Sequence, residues 1–540
     1  MAERSVVSVV SKVKIDARHV WLAFAGAVFM SLAAPPVSFW PVGLLAWLPL
    51  ALVVASEDVA GATLAGWLQG ALAQASVVAA VPGALHSVVK TPWPASIALY
   101  ALLACFEGAR QGLVALLATR AVKRGFPLWL ALPVAISSAE LVWPMLFPWT
   151  TSLFLSAAPI LLQTAEIFGR LGISLWVGVL DAALAMASTR LGRPAFWVYA
   201  AVIPASLLGF VVAYGAWRMR GMDDLVATAH ATRIAIVQGD IPDVRNDPRD
   251  PGVLYRDASI ALLAHQEADL LIWPETAIFY VTDDQDLDRI VSDRILTGPM
   301  HDPEHALDPR LRIRVPLLTG MVLRRHAHAS PARIRNADGT IPTEPARFTN
   351  SAVLVMPDGR VRGVYDKRSL VPLGEYIPGE TQFPWLRSLV PWAGRFSPGN
   401  SSSPLVVEGK RILVSICYED VLAEATREAV VQGHPDLLVN LTSDAWFDGS
   451  RIPYLHLELA KLRTIEHRRF LVHATNTGVT AVFDPAGRTA FLLPARQEAA
   501  GVARVAWMSG YTPYEAMGDV PLFVTTMLML GMLFVPRRRP

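Results

Sequence analysis

The chain has 540 residues, of which 53% are hydrophobic and only 17% charged, too apolar for an ordinary soluble protein and natural for one embedded in a membrane. A formal net charge of +2, with no basic stripe interleaved with aromatics, argues against nucleic acid as a partner. Cys105 lies in an apolar run and Cys417 far away in a more polar half, so a structural disulfide is not expected.

A hydrocarbon core about 30 Å thick needs roughly 20 apolar residues per helix. Measured against that length, eight candidate spans lie near residues 20–34, 40–56, 60–83, 95–119, 127–146, 171–189, 195–215 and 519–535. The apolar stretch 150–165, after Pro148 and Trp149, is too short to cross and reads as interfacial or re-entrant. Basic residues near helix ends are retained on the cytoplasmic side. Lys12, Lys14 and Arg18 precede the first span; Arg120, Lys123 and Arg124 follow the fourth; Arg190 and Arg193 follow the sixth; Arg537, Arg538 and Arg539 close the chain. Eight crossings from a cytoplasmic N-terminus put all of these inside and residues 216–518 outside. A cleavable signal peptide would also begin with basic residues and an apolar run, but no small-residue cleavage site follows.

Between the seventh and eighth spans the composition becomes mixed, and short β-rich runs alternate with helix-like stretches, the pattern of an α/β domain. The runs are 233–238, 270–273, 315–320, 352–356, 411–417, 436–441 and 479–483. Asp358-Gly359 and Asp484 to Gly487 carry hairpin chemistry. Arg324 to Pro345 reads as a polar insertion loop. The expected domains are a transmembrane part, 1–215, an α/β catalytic part, 216–515, and a C-terminal helix with a basic tail, 516–540.

Three segments could carry chemistry. Glu275 follows an apolar strand and a Trp-Pro step, where partial burial would raise a carboxylate toward the working range of a general base. Lys367 and Glu375 flank a Pro and Gly stretch, and a lysine held near a carboxylate can stabilise a developing oxyanion. Cys417 ends a strand ahead of Tyr418, Glu419 and Asp420, where a helix N-terminus and a nearby cation would favour the thiolate. Taken singly, each has a plainer reading: a solvated strand-end glutamate, a surface ion pair, a buried core cysteine. Together, each close after an apolar strand of one domain, they are hard to explain as packing.

The order Glu275, Lys367, Cys417, in the contexts WPETA, DKRSLVPLGEYIP and ICYED, resembles the nitrilase superfamily. With N-terminal membrane helices and one C-terminal helix, the chain is similar to the apolipoprotein N-acyltransferase branch. VQGDIP at 237–242, FTNSAVLV from Phe348, NLTSDAWF, and HATNTGVTAVFDPAGR extend the likeness. It implies an α-helical membrane bundle of about eight transmembrane helices joined to an α/β nitrilase-like αββα sandwich in a bacterial inner membrane, catalytic part on the periplasmic side. It also implies ping-pong transfer of an acyl chain from a phospholipid, expected to be phosphatidylethanolamine, through a Cys417 thioester to the N-terminal amine of a diacylglyceryl apolipoprotein. Glu275 would be the base, Lys367 the oxyanion partner and Cys417 the acyl carrier, with Glu375, Tyr418, Glu419 and Asn350 in support. Arg463 and Glu466, which share a helix face, are secondary candidates, a surface ion pair being the alternative. The loop from Leu370 to Pro398, rich in Pro, Trp and Leu, reads as a mobile arm at the bilayer surface, centred on Trp385 and Trp392; a packed lid is the alternative. In this branch a Lys-Trp pair usually follows VQGDIP; here Arg245 stands in the lysine's place and no Trp follows. Asp448 and Gly449 also run in reverse of the usual order. No metal cluster or nucleotide loop is present, so no cofactor is expected, and the chain is expected to be a monomer. A membrane-anchored amidase or hydrolase would use the same three residues and surrender its acyl group to water. A non-enzymatic scaffold would tolerate Cys417→Ala.

Overall fold

A computed structural model describes residues 16–87, 90–145, 148–242, 250–283, 287, 313–325, 347–391, 393–447 and 449–534. Lys12, Lys14, Arg245, Trp392, Asp448, Arg537, Arg538, Arg539 and most of the insertion loop lie outside the described residues. The chain forms two compact units. One is helical, residues 1–225, 449–468 and 511–540; the other holds residues 226–448 and 469–510.

In the helical unit each apolar run becomes a helix, but their lengths differ. Trp93–Lys123, Ala165–Ser188 and Ala195–Thr228 are long and apolar enough to cross a membrane, and the bent pair Val59–Val77 and Val81–Ser87 makes a fourth if counted as one span. Ala17–Ala33, Trp40–Val54, Leu128–Val142 and Val520–Phe534 are apolar but shorter, so the expected count of eight spans is not established. Hydrophobicity cannot draw membrane helices together, because lipid is as apolar as they are; close backbone approach can. Val59–Val77 meets Trp93–Lys123 this way. A Cβ on Gly70 would lie 2.8 Å from Gly108 Cα, and one on Gly108 would lie 2.5 Å from Ala71 N.

The stretch after Trp149 is irregular, a short 3-10 turn, Thr151–Leu155, followed by Pro159–Leu162. Residues Thr150 to Ser156 are all buried, so the polar groups of this irregular backbone need partners inside the protein. Buried side chains satisfy it. Glu140 accepts from Thr151 N at 3.0 Å and Thr151 Oγ1 at 2.8 Å, Arg110 donates to Trp149 O at 2.8 Å, and Trp47 Nε1 donates to Thr151 Oγ1 at 2.9 Å. Asp181 in turn accepts from Trp47 N at 2.9 Å. The helix Ile452–His467 belongs to this unit. At its start Arg451 donates to the carbonyls of Ser31, Ala34 and Pro35, at and just past the end of Ala17–Ala33. Just past its end Arg468 donates to Glu166 at 2.7 Å and Gln163 at 2.7 Å, and Glu166 also receives Arg218 at 2.7 Å. Arg463 and Glu466 pair at 2.9 Å with 2% and 0% of their side chains exposed; this is a buried pair rather than a surface one.

The second unit contains strands β1 (Ala231–Gln238), β2 (Leu270–Ile272), β3 (Ile278–Asp283), β4 (Leu317–Arg325), β5 (Arg347–Val355), β6 (Val361–Asp366), β7 (Leu405–Val407), β8 (Lys410–Ile416), β9 (Leu437–Thr442), β10 (Leu471–Thr475), β11 (Thr480–Phe483), β12 (Thr489–Leu493) and β13 (Ala499–Ala506). One sheet runs β13-β1-β2-β4-β5-β6, with β3 also on β4; the other runs β12-β11-β10-β9-β8-β7. Ile234, Ile272, Leu318 and Leu354 from the first pack with Val414, Val439, Val472 and Val482 from the second, so the sheets close face to face over one core. The opposite face of the first sheet packs beneath Pro251–Leu263, with Tyr255, Trp273 and Ile313 buried there. Both turns expected from Asp-Gly chemistry are hairpins: β5 pairs antiparallel with β6 and β11 with β12, with Gly359 and Gly487 at φ 87° and 80°, values that suit glycine.

Candidate active site

Parallel strands leave their last residues at one end of the sheet, where loops can gather side chains from distant stretches. Glu275 lies three residues beyond β2, Lys367 follows β6 directly, and Cys417 follows β8 directly. The first two meet in a buried cluster with Asn350 of β5 and Glu375. Lys367 Nζ stands 4.0 Å from Glu275 and 2.9 Å from Glu375. Asn350 donates to Glu275 at 2.7 Å and Glu375 at 3.3 Å. Lys367 is 1% exposed, so its charge survives only through its partners. Burial alone would lower its pKa, but Cys417, Glu375 and Glu275 outweigh burial and hold it above the usual lysine range. Burial pushes the Glu275 carboxyl above its ordinary range; Lys367 opposes the shift and Glu375 reinforces it.

Backbone geometry at these positions is specific. Lys367 N donates to Asn350 O at 2.8 Å, and Gly399 N donates to Lys367 O at 2.8 Å, so the lysine is held on both sides. Glu275 rests on Gly320 of β4, where a Cβ would fall 2.6 Å from Glu275 Cα and 2.6 Å from Pro274 O. Gly320→Ala is therefore expected to displace the Glu275 loop and lower turnover by roughly 10²-fold, the cost of about 1 Å of misplacement. Initial rates at saturating donor would measure this, and an unchanged rate would show that the loop tolerates the shift.

Cys417 is half-buried and opens a 3-10 turn, Cys417–Val421, ahead of the helix Ala423–Gly433. The expected step from strand to helix is thus separated by one tight turn. Cys417 has φ 52°, a left-handed conformation that costs a non-glycine residue energy and persists where neighbours hold it. Tyr418 is half-buried in the same turn. Glu419 ties the turn to the lysine loop: its carboxylate accepts from Ile416 N at 2.8 Å, Arg368 N at 2.7 Å, Ser369 N at 2.9 Å and Tyr365 OH at 2.8 Å. Glu375 likewise accepts from Val371 N at 2.8 Å. Sequence reasoning missed Gly320, Tyr365 and Gly399. Each acts through a backbone approach or a remote partner that no local pattern signals.

An α/β sandwich with a glutamate, a lysine and a cysteine at its strand ends, joined in one chain to apolar helices of membrane-spanning length, defines a membrane-anchored member of the carbon-nitrogen hydrolase class. The carbon-nitrogen hydrolase family matches residues 233–507, and the apolipoprotein N-acyltransferase N-terminal domain matches residues 26–183. An apolipoprotein N-acyltransferase of Azotobacter vinelandii is 30% identical over 96% of this chain and 95% of its own; one of Geobacter metallireducens is 29% identical over 94% and 93%. The chain belongs to the apolipoprotein N-acyltransferase family. Among solved structures, an amidase of the nitrilase superfamily from Nesterenkonia AN1 is 20% identical, with a TM-score of 0.34, over 56% of this chain and 98% of its own.

Proposed function

We propose that this membrane protein moves an acyl chain from a phospholipid to the N-terminal amine of a diacylglyceryl apolipoprotein, with Glu275, Lys367 and Cys417 as its catalytic residues. The observation that carries this reading is the buried clustering of Glu275 and Lys367 with Asn350 and Glu375, in the same sandwich whose strand β8 ends at Cys417. Glu275 takes the thiol proton as sulfur attacks the ester carbonyl, and Lys367 steadies the oxyanion. The ester C–O bond breaks, the leaving alkoxide takes that proton from Glu275, and a lysophospholipid departs. In the second half the amine attacks the thioester, Glu275 accepts the amine proton, and the C–S bond breaks. The proton then returns to sulfur. Asn350 and Glu375 position the base and the ammonium; Glu419 and Tyr418 shape the nucleophile's turn.

The donor in this reading is phosphatidylethanolamine, and the enzyme works as a monomer in the bacterial inner membrane. Residues 216–515 carry the periplasmic catalytic domain, 1–215 the transmembrane helices, and 516–540 a last helix and cytoplasmic tail. Both substrates are lipid-anchored, so tethering spares the extraction of acyl chains into water, which costs about 0.8 kcal/mol per CH₂. Leu373, Phe383, Trp385 and Leu389 are all at least half exposed on the loop after Lys367, which supports its role as an arm that meets lipid.

Purified protein incubated with phosphatidylethanolamine vesicles and no acceptor is expected to gain one acyl mass by intact mass spectrometry, and Cys417→Ala to gain none. Equal labelling of the two would remove Cys417 from the mechanism. Steady release of free fatty acid without acceptor would favour a hydrolase.

A further inference from the structure

The left-handed backbone of Cys417 needs something to hold it, and the strand beside it supplies a candidate. Asn440 lies in β9, wholly buried, with its side-chain amide 2.9 Å from Cys417 O and 3.0 Å from Ser415 Oγ. Chemistry settles which end of the amide points there. A carbonyl can only accept, and the Ser415 hydroxyl donates to Val439 O, so both partners need a donor and Nδ2 must face them. This leaves Asn440 Oδ1 buried with no hydrogen-bond partner among the described residues, a cost of about 1–3 kcal/mol. An apolar side chain here, between Val439 and Leu441, would avoid that cost.

We propose that Asn440 is a positioning residue for acyl transfer, acting by holding the Cys417 carbonyl and so the plane of the peptide that follows the nucleophile. The inference rests on Cys417 being the nucleophile. A trans peptide is planar, with its C=O and N–H pointing oppositely. Fixing Cys417 O on the Asn440 side therefore sends Tyr418 N–H to the other side and sets the backbone from which the Cys417 side chain projects. Glu419 already holds Ile416 N from its side of the turn. Asn440 supplies a second restraint two peptides later, on Cys417 O.

Full-length Asn440→Ala and Asn440→Asp, with Ser415→Ala as control, separate this role from packing. Thioester formation from phosphatidylethanolamine, timed by intact mass, is expected to slow about 10²-fold in Asn440→Ala, with KM for the phospholipid within about threefold. Ser415→Ala removes the amide's other partner and is expected to stay within about threefold of the wild type. In Asn440→Asp only the protonated acid can donate to Cys417 O, so its rate relative to the wild type is expected to rise as pH falls, whereas Asn440→Ala shows no such recovery. The inference is overturned if Asn440→Ala acylates at the wild-type rate, if Ser415→Ala slows equally, or if the defect is wholly in KM. Failure of the underlying reading looks different: Cys417→Ala would then still acquire the acyl mass.

Discussion

Glu275→Gln is expected to lower kcat/KM for acyl transfer by about 10²–10⁴-fold, the usual contribution of a positioned base, while leaving the fold intact. Glutamine keeps the shape and can still accept from Asn350, which donates to Glu275 at 2.7 Å, but it cannot take a proton from Cys417. The wild type is also expected to show an acid limb set by this group. Burial raises the Glu275 pKa above the ordinary glutamate range; the base is the ionised form, so activity is present above the raised pKa and lost as pH falls through it. That limb should be absent from the residual activity of the glutamine variant. Stability has the opposite sign. The folded state holds this proton more tightly than the unfolded chain, so each step upward in pH between the two pKa values costs the wild type stability. Glutamine has no proton to lose, and the variant's stability relative to the wild type is expected to improve from acid toward neutral pH. A kcat/KM profile unchanged by the substitution would assign the base elsewhere.

The sequence revealed this site because its residues sit at strand ends in apolar surroundings. RILVSIC and LLIW are recognisable as buried strands, and a cysteine or glutamate placed just beyond such a run has little reason to be there for packing. Among the strands that escaped notice, β13 depends on a distant partner and β6 on its place at the sheet edge. β13 reads AAGVARVA, poor in β-branched residues, and is a strand because it pairs along its whole length with β1. β6 reads VRGVYD and is only partly buried; its place on the sheet edge lets arginine and glycine stand where a central strand would not. Asn440 was hidden differently. DLLVNL was legible as a strand, but the amide within it has meaning only beside Ser415 and Cys417, which β8 brings into register. In the helical unit, Glu140, Arg110 and Asp181 sit in apolar runs and passed unremarked. Their partners, Thr151, Trp149 and Trp47, become visible only once the irregular stretch is seen to be buried.

Lys367→Met tests the opposite pole of the cluster and separates catalysis from stability. The ammonium is 1% exposed and stands 2.9 Å from Glu375, so its removal leaves two carboxylates buried near one another without a cation. Breaking such a pair from one side typically costs about 3–5 kcal/mol, and the surviving carboxyls are expected to take up protons instead of remaining charged. Two catalytic losses follow together. Glu275, protonated, no longer serves as base, and no cation faces the oxyanion, a defect worth about 10²–10³-fold by itself. Arginine does not restore function, because its planar fork demands more room and a different geometry than a point charge sealed between Glu275, Glu375 and Asn350. The double variant Lys367→Met with Glu375→Gln removes both members of the 2.9 Å pair and is expected to regain much of the lost stability, since replacing a buried pair outright is far less costly than orphaning half of it. Its thioester formation, followed by intact mass beside thermal unfolding, is expected to stay as low as that of Lys367→Met. Recovery of acylation along with stability would mean that the lysine holds the site together and takes no part in the chemistry.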